Sequence, residues 1–103
     1  MNFTELGLST KLVTRLESLG LTTPTPIQEK AIPHALEQRD VLGIAQTGTG
    51  KTAAFSIPLV VALSKQNERV GAFGVRGLIL SPTRELANQI VETLQGMTSD
   101  LRI

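Results

Sequence analysis

The segment AQTGTGKT, at residues 45–52, is the feature that most constrains this chain. It follows a short apolar run, VLGIA at residues 41–45, and precedes a long apolar stretch with helical character. This order predicts a buried strand, a glycine-rich turn and a helix. Glycines such as Gly48 and Gly50 let successive backbone N–H groups point inward, and the start of the helix adds its dipole at the same place. The segment therefore predicts a phosphate-binding loop.

Within such a loop, Lys51 can reach the terminal phosphates of a nucleotide, and the hydroxyl of Thr52 suits the accompanying Mg²⁺. The first position is Ala45, where the pattern more often has glycine. The alternative is a glycine-rich turn that happens to precede a helix. The predicted strand before the loop and the predicted helix after it favour the phosphate-binding interpretation, because the mechanism needs both.

The rest of the chain predicts four helices and three strands. A helix is expected over residues 9–20, with Ser9 as its cap and Gly20 at its end. A second begins at Thr25 and runs to about residue 38, with a bend or restart at Pro33. A third, kinked at Pro58, begins at about residue 50, and a fourth follows Thr83 as far as about residue 96. Buried strands are expected at residues 41–45 and 78–81, with a third beginning at 101–103, and this order is typical of an α/β fold with a parallel sheet flanked by helices.

Composition excludes several classes of protein. The 103 residues include no cysteine, so the chain has neither disulfides nor thiolate metal sites. The longest apolar run, residues 59–63, is too short to cross a membrane, and the N-terminus does not read as a secretory signal. We therefore expect a cytoplasmic location and no membrane partner. The net charge of +1 does not by itself indicate a nucleic-acid-binding protein.

The sequence Thr25-Pro26-Ile27-Gln28 has two interpretations. Threonine at a helix cap with glutamine three residues later is a capping box, in which the glutamine side chain bonds to the backbone N–H of the cap. A glutamine amide also offers one donor and one acceptor side by side, which match the N6 and N7 edge of adenine. The local sequence leaves both interpretations open.

Three segments together resemble the DEAD-box family of RNA helicases. GLTTPTPIQ at residues 20–28 is similar to the family's Q motif, AQTGTGKT to its motif I, and PTRELA at residues 82–87 to its motif Ia. The resemblance covers the whole chain and is nearest to bacterial, RhlE-like members. It implies the first part of a RecA-like P-loop NTPase domain, truncated at about the third strand. Residues 1–39 would be an N-terminal helical segment with the Q motif, and residues 40–103 would carry motifs I and Ia.

The resemblance also implies ligands and the residues that bind them. ATP and Mg²⁺ would be the cofactors, with Gln28 reading the adenine edge and Phe3 stacking on the ring. The phosphates and the metal would be held by Ala45, Gln46, Thr47, Gly48, Thr49, Gly50, Lys51 and Thr52. RNA would be contacted through Pro82, Thr83, Arg84 and Glu85. The alternative for this last group is a capped helix start whose charged side chains are simply solvated.

A P-loop ATPase also needs an acidic residue on a neighbouring strand to hold Mg²⁺. The second predicted strand ends in Ser81-Pro82, and the D-E-A-D segment that has this role in the family is absent from the 103 residues. We therefore expect the fragment to be inactive alone, and its unfinished sheet to promote self-association or strand exchange. Two alternatives remain: a P-loop ATPase that acts on DNA, and a non-catalytic nucleotide-binding or interaction module.

Overall fold

A computed structural model describes residues 2–45, 50–65 and 74–98. A 3₁₀ helix, Phe3–Leu6, precedes four α-helices: α1 is Thr10–Ser18, α2 is Pro26–Leu36, α3 is Lys51–Ser64 and α4 is Arg84–Thr98. Each helix lies within two residues of the bounds that the sequence predicts. Among the described residues no helix is long and apolar enough to cross a membrane.

Local signals determine where α1 begins and ends. The Ser9 Oγ accepts a hydrogen bond of 3.3 Å from the Leu12 backbone N–H, as expected for a helix cap. At the other end Gly20 has a φ of 85°, and the Leu21 N–H donates to the Leu16 carbonyl at 2.8 Å. The left-handed Gly20 and the hydrogen bond from Leu21 back to Leu16 form the usual glycine C-cap and end the helix. Glycine suits this position because it adopts positive φ without a steric penalty.

Prolines lie inside α2 and α3 without dividing either helix. Pro33 is part of the single helix α2, which ends at Leu36, two residues before the predicted limit. Gln38, just beyond, has a φ of 64°, a left-handed conformation that ends the helical path. Pro58 lies within α3, which continues to Ser64.

The core lies between the 3₁₀ helix and the helices, with α2 packed along α3 and α3 along α4. It is apolar, and seven of its ten buried members lie in the 3₁₀ helix, α1 and α3. Its buried members are Phe3, Leu6, Leu8, Leu12, Leu16, Ile32, Ala53, Ile57, Val60 and Met97.

The two described segments that the sequence predicts to be buried strands differ from that prediction. Residues 41–45 and 78–81 contain no strand, and Leu42, Ile44 and Leu80 are 89%, 85% and 85% exposed. The prediction that these runs are buried is therefore wrong. A strand requires a hydrogen-bonded partner, and the described residues supply none, so the apolar side chains stay uncovered. The predicted third strand, residues 101–103, lies outside the described residues.

Two cavities lie beside α3 and α4. The last turns of both helices line one cavity of about 350 Å³, where Ser64 of α3 lies near Met97 of α4. A second cavity, of about 340 Å³, lies between the same helices and residues 77–81.

Candidate functional site

The start of α3 carries the last part of the predicted phosphate-binding loop. Gly50 is the cap of this helix, with a φ of 87°, and its carbonyl accepts from the Ala54 N–H at 3.1 Å. The first N–H groups of an α-helix have no partner within the helix and attract anions. Lys51 is exposed and Thr52 is half-buried. This turn thus offers backbone donors, a cation and a hydroxyl together, while Gln46, Thr47, Gly48 and Thr49 lie outside the described residues.

Gly50 is also a position that only glycine fits. Its φ lies in the left-handed region, which disfavours side chains. A Cβ added there would run into the Gln28 Nε2 and would come within 3.0 Å of the Thr25 Oγ1. The close approach of α2 to the first residue of the Gly-Lys-Thr sequence therefore depends on the missing side chain.

Gln28 joins α2 to that same residue. Its side chain is 2% exposed, and its Oε1 accepts a hydrogen bond of 3.0 Å from the Thr25 N–H. Its Nε2 donates to the Gly50 carbonyl at 3.1 Å. The first bond is the return bond that the capping interpretation predicts. The second spans 22 residues and reaches the predicted phosphate-binding loop, which helix capping does not require.

The remaining hydrogen-bonding capacity of Gln28 matters for the adenine hypothesis. A glutamine amide has two N–H donors and two acceptor lone pairs, so these two bonds leave one of each. A residue that is 2% exposed does not present them to solvent in this conformation. A role for Gln28 in reading adenine therefore stays a prediction, and it requires the amide to become accessible.

Thr25 belongs to the same cluster through its side chain. Its Oγ1 is buried beside Gly50, where a Cβ added to that glycine would come within 3.0 Å of it. Within the capping box this oxygen faces the Gln28 backbone N–H. The sequence predicts Thr25 only as a helix cap. The capping sequence that Thr25 shares with Gln28 was the signal that could have identified it as a member of this cluster.

Phe3 lies on the first helical turn of the chain. Its ring is 1% exposed and packs within the core cluster. The predicted stacking on a base needs an open ring face, so in this conformation Phe3 acts as a core residue. The stacking role stays a prediction.

The start of α4 carries the predicted RNA-contacting residues. The Thr83 Oγ1 accepts from the Leu86 N–H at 3.1 Å, and the Ser81 Oγ donates to the Thr83 carbonyl at 3.1 Å. Pro82, Arg84 and Glu85 are exposed. The turn is thus a capped helix start, as the structural alternative predicts, with an arginine available to solvent beside free helix N–H groups. Its contact with RNA stays a prediction.

Few groups in the described residues could bind a metal ion directly. No cluster of three or more His, Asp or Glu side chains with metal-binding geometry occurs among them. His34 is exposed, as expected for a surface helix residue. The Thr52 hydroxyl remains the candidate ligand at the phosphate-binding turn, where it would act together with phosphate oxygens.

Comparison with known proteins identifies the family. Residues 25–103 match the family model for the DEAD/DEAH box helicases, so the chain belongs to this family. The chain is 50% identical over 100 residues to the ATP-dependent rRNA helicase RRP3 of Debaryomyces hansenii. The aligned region covers 97% of this chain and 20% of that protein. A particular relation to bacterial, RhlE-like members is not supported, because this relative is a yeast protein.

Solved structures agree with the family. The RNA helicase Prp28 from Chaetomium thermophilum bound to ADP has a TM-score of 0.86 and 45% identity, covering 96% of this chain and 24% of that one. A variant of Dbp5 from S. cerevisiae bound to RNA and ADP BeF3 has a TM-score of 0.80 and 35% identity, covering 98% and 25%. The chain thus spans about a fifth to a quarter of the length of these relatives.

Proposed function

We propose that this chain is the ATP-binding N-terminal portion of an RNA helicase that couples ATP binding and hydrolysis to the unwinding or remodelling of RNA duplexes. The observation that carries this proposal is the hydrogen bond from the Gln28 Nε2 to the Gly50 carbonyl. This bond joins the proposed base-reading residue to the first residue of the Gly-Lys-Thr sequence, so one cluster would hold both ends of the proposed nucleotide site.

The nucleotide would lie along this cluster. Its phosphates would bind to the loop of residues 45–52 and to the free N–H groups at the start of α3, with Lys51 supplying the positive charge. The adenine would lie toward Gln28 and Phe3. The relatives Prp28 and Dbp5 were solved with ADP and with ADP BeF3, which supports a nucleotide as the ligand.

RNA would bind at the first turn of α4. Arg84 is exposed there, and the free N–H groups at a helix start favour a phosphate of the RNA backbone. The relative Dbp5 was solved with RNA, which supports this choice of nucleic acid.

Mg²⁺ would reach the site with ATP, and Thr52 would supply one hydroxyl ligand. The metal would neutralise phosphate charge during hydrolysis. Residues 1–103 contain no D-E-A-D segment, so we propose that these residues alone bind ATP but do not hydrolyse it. RNA-stimulated release of phosphate from the 103-residue chain would contradict this.

Residues 41–45 and 78–81 would become strands of a parallel sheet when further strands are present to pair with them. Their apolar side chains are exposed, and Gly43 and Gly77 approach Ile27 of α2 and Leu59 of α3. Such unpaired apolar segments also support self-association or strand exchange between copies of the 103-residue chain.

The first test of the proposal is the affinity for ATP in the presence of Mg²⁺. Lys51→Ala removes a charge-assisted contact worth roughly 1.5–3 kcal/mol, so binding should weaken by about tenfold or more. Lys65→Ala is the matched control, because it removes the same charge from the other end of α3. Titration calorimetry of both variants decides the matter. Equal affinity in Lys51→Ala and Lys65→Ala would contradict the assignment of the phosphate-binding loop.

A further inference from the structure

The side chain of Arg15 joins the N-terminal helices to the last turn of α4. Its Nε donates a hydrogen bond of 2.7 Å to the Gly96 carbonyl, which lies 81 residues further along the chain. Arg15 is half-buried in the middle of α1. A bond this short is typical of a charged donor.

The Gly96 carbonyl is a suitable acceptor because of its place in the helix. Gly96 lies in the last described turn of α4, two residues before Thr98. The carbonyls in the last turn of a helix carry the negative end of the helix dipole, which favours a guanidinium group. Leu19 packs on the same residue, since a Cβ added at Gly96 would lie 3.3 Å from the Leu19 Cδ2. Two side chains from the first helical region therefore contact the last turn of α4.

The other end of α4 carries the proposed RNA contacts. The helix has 15 residues, so its ends lie about 20 Å apart. An α-helix of this length is stiff, and a change of tilt or rotation at the last turn moves the first turn as well. Met97 is buried in the core and holds the end of α4 in place. The hydrogen bond from Arg15 is directional, so it constrains the orientation of α4. Apolar packing is not directional and does not give this constraint.

We propose that Arg15 is a positioning residue for the RNA-binding turn at the start of α4. This inference rests on the proposed function, because it requires the turn at Thr83 and Arg84 to contact RNA. The nucleotide cluster is held separately, through the bond between Gln28 of α2 and Gly50 of α3. Loss of the Arg15 side chain should therefore weaken RNA binding and leave ATP binding unchanged.

The test uses a form of the protein with the length of its relatives, and measures ATP hydrolysis against RNA and against ATP concentration. Arg15→Met should raise the KM for RNA by about tenfold, since a hydrogen bond to a charged group is lost. The KM for ATP and the kcat at saturating RNA should remain within twofold. Arg15→Lys should recover part of the RNA affinity, because an ammonium group can donate to the same carbonyl.

Lys11→Met is the matched control. Lys11 lies one turn before Arg15 on α1, and both side chains line the cavity of about 350 Å³. Loss of Lys11 therefore removes an equal charge from the same region. It should leave the KM for RNA unchanged. If Lys11→Met and Arg15→Met raise this KM equally, the effect comes from charge alone and the proposal is overturned. A parallel rise in the KM for ATP would overturn it as well, because that outcome indicates general loss of structure.

A double substitution tests whether Arg15 acts through the first turn of α4. Arg84→Ala should itself raise the KM for RNA, and adding Arg15→Met should then raise it by much less than tenfold. Fully additive effects would overturn the proposal. If Arg84→Ala does not change RNA binding, the proposed RNA site fails and the role of Arg15 fails with it. If the Arg15 variants leave the KM for RNA unchanged while Arg84→Ala raises it, the role of Arg15 is overturned and the proposed function stands. If Arg15→Met does not fold, the KM for RNA is measured with Arg15→Lys.

Discussion

At the scale of single residues, Gln28 combines the predicted capping bond with a contact to the predicted phosphate-binding loop. Burying an amide costs free energy unless its polar atoms are bonded. Here the Oε1 bonds to the Thr25 N–H and the Nε2 to the Gly50 carbonyl. The capping role and the contact with the loop therefore coexist. By contrast, the Ser56 Oγ is buried without a partner among the described residues, so burial alone does not identify a functional polar group.

Substitution of Gln28 separates its structural role from its proposed role toward the base. Gln28→Ala leaves the Thr25 N–H and the Gly50 carbonyl without their partner, so unfolding free energy should fall by about 1–3 kcal/mol. In a form with the length of the relatives, preference for ATP over GTP should also be lost. Thermal unfolding and competition binding measure the two effects. Gln89→Ala is the control, because Gln89 is exposed on α4. An intact preference for ATP would leave Gln28 with a purely structural role.

Sequence motifs predicted where the candidate site residues lie along the helices better than they predicted the burial of each side chain. Gly50, Lys51 and Thr52 are found at the start of α3, where the phosphate-loop pattern predicts them. The burial of Phe3 in the core depends on helices that follow it in the chain, and no spacing of residues indicates it. The bond from Arg15 to Gly96 joins distant residues, and no local signal predicts it.

At the scale of elements, helices were predictable because their limits depend on neighbouring residues. Ser9 and Thr83 accept bonds from the N–H groups three residues later, and Gly20 has the left-handed conformation that ends α1. The predicted strands at residues 41–45 and 78–81 were not found, because pairing depends on segments distant in sequence. An apolar run can therefore indicate a strand while its burial depends on the rest of the fold.

Two glycines in different surroundings test how α-helices tolerate a side chain. Gly96 has no positive φ, and among the described residues an added Cβ would meet the end of the Leu19 side chain, which is 40% exposed. Alanine is a better helix former than glycine by about 1 kcal/mol, so Gly96→Ala should raise the melting temperature by a few degrees. The Arg15 bond persists in this variant because its acceptor is a backbone atom.

Gly50→Ala is the opposite case within the same protein. Its left-handed φ and the contact with the Gln28 amide should both lower the melting temperature. Circular dichroism of the helical signal during heating compares the two variants. A lower melting temperature for Gly96→Ala than for the unsubstituted chain would show that Leu19 is fixed against α4.

At the scale of the whole molecule, apolar surface is divided unequally. The helices pack against one another and bury their apolar side chains in the core. The non-helical segments at residues 41–45 and 74–80 leave large apolar side chains in contact with solvent. These exposed side chains are Val41, Leu42, Ile44, Val75, Leu78 and Leu80. Large exposed apolar side chains of this kind mark surface that another segment or chain covers, and we call these six side chains together the uncovered face. Membership of the helicase family was predictable from short motifs, whereas this uncovered face was not, because its exposure depends on tertiary partners.

The uncovered face should make the 103-residue chain self-associate as its concentration rises. Leu42 and Leu80 are among its most exposed members, so the double substitution Leu42→Ser and Leu80→Ser should shift sedimentation toward the monomer. The melting temperature should change little, because these side chains gain no burial in the monomer. Val60→Ser is the contrast: Val60 is buried in the core, so this variant should lose stability by about 1–3 kcal/mol without becoming more monomeric. A single monomeric species for the unsubstituted chain at every concentration would contradict self-association through this face.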